Sequence, residues 1–347
     1  MAVTLHEIAQ RLGIHKSTVS RVLSGSTQGS YISERRRQQI LDTAAEMGFR
    51  PNALARAVRT GRTHQIGVFA ATAPSGPGGA ARLAHDAAAD FLVGINARLA
   101  AGGYVMVLRG IGPEERSLAD VRELRERVFD GLIVVGVAGE EIREQAEEAY
   151  PACVWADANV WCPERCIRRD EEAAGRLAAE RLADLGCRRV LYTVRPEPSE
   201  GRPHYSEPLR LAGVRAGAEA RGLAFEAFRS GPGVPTAEAA DALRSADPET
   251  AVVAYSAYDA LRLQTLCADL RLRPGEDFAL ACCDSMPLFR GTWPGLARVE
   301  FDRWSMGHAA ADMALAALDD PAAPPPSRLV LDGWIDGATA PPRNTRA

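Results

Sequence analysis

The chain has 347 residues, 46% of them hydrophobic, with 41 basic and 45 acidic side chains and a formal net charge of −4 at pH 7. This composition excludes disordered, collagen-like and supercharged classes, and the length implies two to three domains with ample chain for real cores. The near-neutral total hides a division: residues 1–62 carry ten basic against four acidic side chains, a net of +6, and the remainder is −10. A basic head on an acidic body suggests that the head, rather than the whole, meets an anionic partner.

In chain order, Leu5, Ile8, Ala9 and Leu12 form the apolar stripe of a short helix, with Thr4 placed to cap it and Gly13 to break it. A second helix follows Ile14, with Val19, Val22 and Leu23 inward and Lys16, Ser17, Ser20 and Arg21 outward. Ser33 suits the cap of a third, whose inward face is Ile40, Leu41 and Ala44 and whose C′ residue is Gly48. Two helices joined by a glycine turn, then a third, make a helix-turn-helix unit. On the second helix Arg21 offers a bidentate donor pair for guanine, Lys16 a less rigid one, and Ser17 a hydroxyl for either strand, each good pair discriminating by roughly 1–3 kcal/mol. Lys16 is also the only lysine in the chain. The plain alternative for such a face is simple solvation.

From Gln65 the pattern becomes alternating. Apolar runs at Ile66–Ala70, Tyr104–Leu108, Leu132–Val137 and Cys153–Ala156 are separated by helical stretches near 86–101, 114–129 and 140–149. The alternation restarts with Val190–Val194, Phe225–Phe228, Ala251–Tyr255 and Phe278–Cys283, between helices near 207–221, 236–246 and 259–270. Such alternation means βαβ units and parallel sheets, and two sets mean two lobes with a ligand cleft at the strands' carboxyl ends.

Seven cysteines, an odd number without a disulfide framework, read as free thiols in a chain with no visible export signal, which points to the cytoplasm. Cys162 and Cys166 alone have the spacing of half a metal or redox site, but no matching Cys/His pair follows at zinc spacing. No apolar run is long enough to span a membrane. Six scattered histidines, no phosphate-loop, nucleophile-elbow or zinc-protease motif, and a glycine-rich Gly76–Gly79 without a trailing lysine argue against an enzyme, a metal or a cofactor.

The segments TLHEIAQRLGIHKSTVSRVLSG and ISERRRQQILDTAAEMGFRPNALARAVRTGRT closely resemble the N-terminal domain of LacI/GalR-type transcription regulators, over the first 63 residues. Most of 64–340 resembles that family's periplasmic-binding-protein-like effector domain, through Asp130-Gly131-Leu132-Ile133, the stretch from Arg176 to Gly186, Arg210-Leu211-Ala212-Gly213, Pro274 to Asp277, Asp284 and Leu296 to Gly307. The resemblance implies an α/β protein: a three-helix helix-turn-helix domain (1–50), a hinge helix and linker (51–63), and a two-lobed domain of parallel βαβ sheets (64–347) that binds effector and dimerises. It implies base reading by Lys16, Ser17 and Arg21, phosphate contacts from Thr4, Thr18 and Ser20, and a minor-groove hinge in which Asn52, Ala55 and Val58 meet DNA, with Val58 as a wedge where leucine is usual. It implies effector contacts from Asp157, Arg210 and Asp284, aided by Arg169 and Ser256, between aromatic walls Phe91, Trp155 and Phe301.

Several positions depart from the family pattern. The loop Ser24 to Tyr31 is about three residues longer than usual, and Arg36 replaces a common threonine. Ser256-Ala257 replaces an Asn-Asp pair, Cys282-Cys283 a Gly-aromatic pair, and Arg168-Arg169 an apolar or aromatic residue. These point away from a monosaccharide and toward an anionic or non-sugar ligand if the two arginines face the cleft; the competing reading turns both to solvent. The expectation is a cytoplasmic, homodimeric repressor of pseudo-palindromic operator DNA, controlled by a small-molecule effector, a sugar or an anionic metabolite. An activator or dual regulator is the alternative, and a transport solute-binding protein is opposed by the basic head. No heptad follows Gly337, so no tetramerisation helix is expected.

Overall fold

The structure, a computed structural model, describes residues 3–23, 32–50, 52–71, 86–111, 120–136, 140–195, 203–231 and 236–342. The loop Ser24–Tyr31, the glycine-rich Gly76–Gly79 and the tail from Arg343 lie outside the described residues. Two compact units are formed by Met1–Thr63 and His64–Ala347.

In the first unit, α1 (Leu5–Leu12), α2 (Lys16–Leu23) and α3 (Glu34–Glu46) enclose a small core of Ile8, Ala9, Val19, Val22, Ile40 and Ala44. Thr4 and Glu7 form a reciprocal capping box at α1, and Gly13 ends that helix at φ +60°, a conformation that an L side chain resists. Ser33 caps α3 by accepting from the Arg36 amide. A fourth helix, α4 (Ala53–Thr60), begins where Asn52 Oδ1 accepts from the Ala55 amide at 3.2 Å.

The second unit opens with β1 (Gln65–Ala71), α5 (Asp86–Ala101), β2 (Val105–Ile111), α6 (Arg122–Arg125), β3 (Gly131–Gly136), α7 (Glu140–Ala149), β4 (Cys153–Ala158) and β5 (Cys166–Arg169). The chain then crosses to a second lobe through α8 (Glu171–Asp184), β6 (Arg189–Val194), α9 (Ser206–Ala220), β7 (Ala224–Arg229), α10 (Thr236–Arg244), β8 (Thr250–Ala254), α11 (Ala257–Leu270), β9 (Ala279–Cys282), α12 (Pro287–Thr292) and β10 (Ala297–Glu300). It returns with α13 (Arg303–Asp319) and β11 (Arg328–Val330) and crosses once more to β12 (Gly333–Ile335). The sheets run β11-β5-β4-β3-β1-β2 and β12-β10-β9-β8-β6-β7, parallel except for the β10–β12 pair. Of the helix expected near 114–129, the described part holds only α6, which ends as Arg127 turns to φ +51°.

Each lobe contains one intimate helix pair. A Cβ on Gly175 or Gly213 would collide with backbone of the facing helix, so α8 and α9 pack at backbone distance. Gly94 and Gly307 do the same for α5 and α13. Three crossings join the lobes, at 169–171, 300–303 and 330–333, and they brace one another: the Asp170 amide donates to Val330 O at 2.9 Å and the Asp332 amide to Glu300 O at 3.2 Å. Asp170 and Asp302 cap α8 and α13 as the chain leaves two of these crossings. Side chains flanking the crossings are therefore fixed by both lobes.

Candidate DNA interface and effector cleft

On α2 Lys16 and Ser17 are exposed, whereas Thr18, Ser20 and Arg21 are half-buried at the edge of the same face. His15 supplies the helix cap: its Nδ1 accepts from the Ser17 amide at 3.3 Å and lies 2.8 Å from Ser17 Oγ. Arg21 Nε donates to Ser17 O at 3.3 Å, which lays its guanidinium along the helix. Thr4 Oγ1 donates to Glu7 Oε2 at 2.9 Å within the capping box, so its hydroxyl holds α1 in place. On α4, Asn52 and Ala55 are exposed and Val58 is 89% exposed, an apolar side chain standing free of its own unit's core.

The second assembly sits where the lobes meet. Asp157, the last residue but one of β4, sits in the left-handed region at φ +49° and takes hydrogen bonds from Tyr205 Oη at 2.5 Å and from Arg169 Nε at 3.1 Å. Arg169, at the end of β5, also reaches Glu171 at 2.9 Å and Asp284 at 3.7 Å. Glu171, fully buried on the first turn of α8, is also the bidentate partner of Arg210, which donates to it through both Nε and Nη2. Arg210 Nη1 donates to Tyr255 O at 2.5 Å and approaches Asp284 at 3.5 Å. Arg303 donates to Asp284 and to Ser285 O, and the Phe301 ring lies 5.4 Å from the Arg169 guanidinium and 5.7 Å from that of Arg303. Three guanidiniums thus meet three carboxylates, with residues drawn from both lobes.

Burial pushes the Asp157 carboxyl up, but Arg169, His204 and the Tyr205 hydroxyl outweigh it and hold it well below the usual carboxylate range. Asp284 is likewise driven up by burial and brought far down by Arg303, Arg210 and Arg169. Burial lowers His204, whose Nε2 lies 3.1 Å from Asp157 O. Beside the network, Tyr192, Arg195, Glu207, Leu211 and Tyr255 line a cavity of about 140 Å³.

Of the residues the sequence nominated, Asp157, Arg169, Arg210, Asp284 and Phe301 come together. Phe91 and Trp155 do not wall this network. Phe91 lies in the first lobe's core with Ile66, Val68 and Ile95. Trp155 is buried on one face of β4 and donates to Glu147 on α7 at 3.0 Å. Ser256 caps α11, its hydroxyl donating to Asp259 at 2.6 Å. The two neighbouring arginines divide: Arg169 is buried in the network, which corrects the reading that sends both to solvent, and Arg168 stacks over Trp161 and Tyr205 at 4.4 and 4.9 Å. Glu171, Tyr205, Tyr255 and Arg303 were not anticipated. The acidic Asp170-Glu171 directly after two arginines was a local hint for the first; the other three carry no local signal.

Two family models match the chain: bacterial regulatory proteins of the lacI family over residues 4–52, and a periplasmic binding protein-like domain over 179–340. Head and body together define a sequence-specific DNA-binding transcriptional regulator with an effector-binding body, not an enzyme. The maltose regulon regulatory protein MalI of Escherichia coli K12 is 28% identical over 198 residues, 55% of this chain and 53% of that protein. The ribose operon repressor of the same strain is 23% identical over 329 residues, 92% of this chain and 94% of the repressor. In fold, the chain is similar to the crystal structure of the Lac repressor dimer bound to operator and the anti-inducer ONPF, with a TM-score of 0.77 and 21% identity, covering 98% of this chain and 100% of that one. The chain belongs to the LacI family of bacterial regulatory proteins. No helix among the described residues is long and apolar enough to cross a membrane.

Proposed function

We propose that this regulator is a cytoplasmic, homodimeric repressor whose affinity for a pseudo-palindromic operator is set by a neutral, polyhydroxylated effector held where the lobes cross. Residues 1–50 read the site through Lys16, Ser17 and Arg21, with Thr4, Thr18 and Ser20 toward phosphates. Residues 51–63 form the hinge, with Asn52, Ala55 and Val58 toward the minor groove, and 64–347 bind effector and partner. Exposed Val93 on α5 and exposed Val105 and Leu108 on edge strand β2 supply an apolar face for pairing of two copies.

The observation that carries the effector class is the balance of charge: Arg169, Arg210 and Arg303 against Asp157, Glu171 and Asp284. A neutral polyol inserts donors and acceptors between such pairs, whereas an anion must displace a carboxylate from a buried guanidinium. The cavity of about 140 Å³ shares Tyr255 with the network, and the Tyr255 carbonyl accepts from Arg210, so a ligand held there is coupled to the crossings. A coupling of about 1–3 kcal/mol suffices for regulation. The anionic reading rests on Arg168, whose buried Nε has no hydrogen-bond partner. A thermal-shift and calorimetry screen of neutral sugars, polyols and anionic metabolites against the full chain decides between them. Stabilisation by neutral polyols alone is expected; stabilisation confined to anions would reverse the assignment.

A further inference from the structure

The strand β5 that delivers Arg169 begins at Cys166, and Cys162 lies four residues before it, at the end of an exposed turn. Their sulfurs are 3.3 Å apart. The Cys162 amide donates to Cys166 Sγ at 3.3 Å, and Cys162 Sγ donates to Glu164 O at 2.9 Å, so the turn folds the two thiols toward each other. The turn is anchored on both sides: Arg165 takes φ +60°, its amide donates to Pro325 O at 2.9 Å, and the Cys166 amide donates to Ser327 Oγ at 2.8 Å. A disulfide bond is about 2.05 Å long, so roughly an ångström of closure at the exposed turn joins the pair. The two thiols differ in access: Cys162 is partly exposed, and Cys166 is fully buried.

We propose that Cys162 and Cys166 are a reversible thiol–disulfide site, oxidised by low-molecular-weight disulfides, that ties the entry turn of β5. In the first step the Cys162 thiolate attacks the external disulfide, forming a mixed disulfide and expelling one thiolate. Cys166 then attacks Cys162 Sγ, its proton passing to the second departing thiolate, so that two protein thiols and one external disulfide give one protein disulfide and two external thiols. Burial pushes Cys166 up to about 12, which keeps it protonated and leaves Cys162 as the attacking sulfur. Cys153, on β4 beside β5, is fully buried and also pushed up by burial, so it is not the resolving thiol. The consequence is mechanical. β5 pairs with both β4 and β11, and leads into Arg169 and the first crossing, so the link fastens the first-lobe end of the effector network.

The test is equilibration of the full chain with oxidised and reduced glutathione, acid quenching, alkylation of remaining thiols and tryptic mapping without reduction. Trypsin cuts after Arg165, between the two cysteines, so the bond would hold the peptide ending at Arg165 to Cys166-Ile167-Arg168. That linked pair is expected in the parent and in Cys153→Ser, to vanish on reduction, and to be missing from Cys162→Ser and Cys166→Ser. Full alkylation of both thiols under oxidising buffer, a stable glutathione adduct on Cys162 without the link, or loss of the link in folded Cys153→Ser would each overturn the proposal.

Discussion

Glu171→Gln isolates what holds the effector network together. The side chain keeps its shape and one acceptor oxygen but loses its charge, leaving Arg169, Arg210 and Arg303 facing only Asp157 and Asp284. Arg210, 1% exposed, loses its bidentate partner and cannot recruit water without opening the lobe contact. Removing one member of a buried ion pair costs about 3–5 kcal/mol, and the remaining amide oxygen puts this variant near the lower end, about 3 kcal/mol. Against a total stability of about 5–15 kcal/mol that is a large fraction. Urea unfolding of the full chain, followed by far-UV circular dichroism, should show a lower midpoint with an unchanged denaturant slope. Adding Arg169→Met restores two cations against two carboxylates and should recover part of the loss. A midpoint shift worth less than about 0.5 kcal/mol, the range of an ordinary surface change, would refute the role given to Glu171.

Arg21→Ala should lose about 1–3 kcal/mol of discrimination at one base position while keeping salt-sensitive binding to random DNA, as read by fluorescence anisotropy; unchanged site preference would remove Arg21 from base reading. Gly213→Ala places a methyl against the Glu172 carbonyl and should lower stability by about 1–3 kcal/mol or more as α8 and α9 are forced apart; a calorimetric melting temperature equal to the parent's would contradict the close packing. The pH response follows from His204, held below its usual 6.5 by burial. Between the folded value and 6.5 the unfolded chain binds a proton that the native chain refuses, so stability should rise with pH through that window and level off above it. His204→Gln should flatten the rise, and an identical profile in that variant would exclude His204 as its source. Asp157 and Asp284 act lower: their contribution is full above about 3.8 and is lost as pH falls toward their depressed folded values.

Spacing in the chain was enough for most of the head, because its helices are capped and packed by neighbours in sequence: Thr4 with Glu7, Ser33 with Arg36, and the stripe Ile8, Val19, Val22 and Ile40; Leu41, expected inward on the third helix, is instead exposed beside Ile40. The strands of the body were legible as apolar runs, except for β5, β10, β11 and β12, which are short, the first three interrupted by charged residues such as Arg168, Arg169, Arg298, Glu300 and Arg328. The pocket aromatics were harder. Along β4, Cys153 and Trp155 face one layer while Val154 and Ala156 face the other, and the residue that reaches the cleft is Asp157 at the strand's end. Glu171 and Arg303 acquire their meaning only from arginines and carboxylates far away in sequence. That is a property of the crossings, which no local window contains.

The most direct measurement is selection of binding sites from random DNA by the full chain, followed by anisotropy titration of the selected and scrambled duplexes with and without the effector found in the ligand screen. The expected result is a pseudo-palindromic site preferred by at least about 10³-fold over scrambled DNA, with the effector changing that affinity by about 5–150-fold. Equal affinity for the two duplexes, or an affinity indifferent to a ligand shown to occupy the body, would contradict a regulator in which the cleft controls the head.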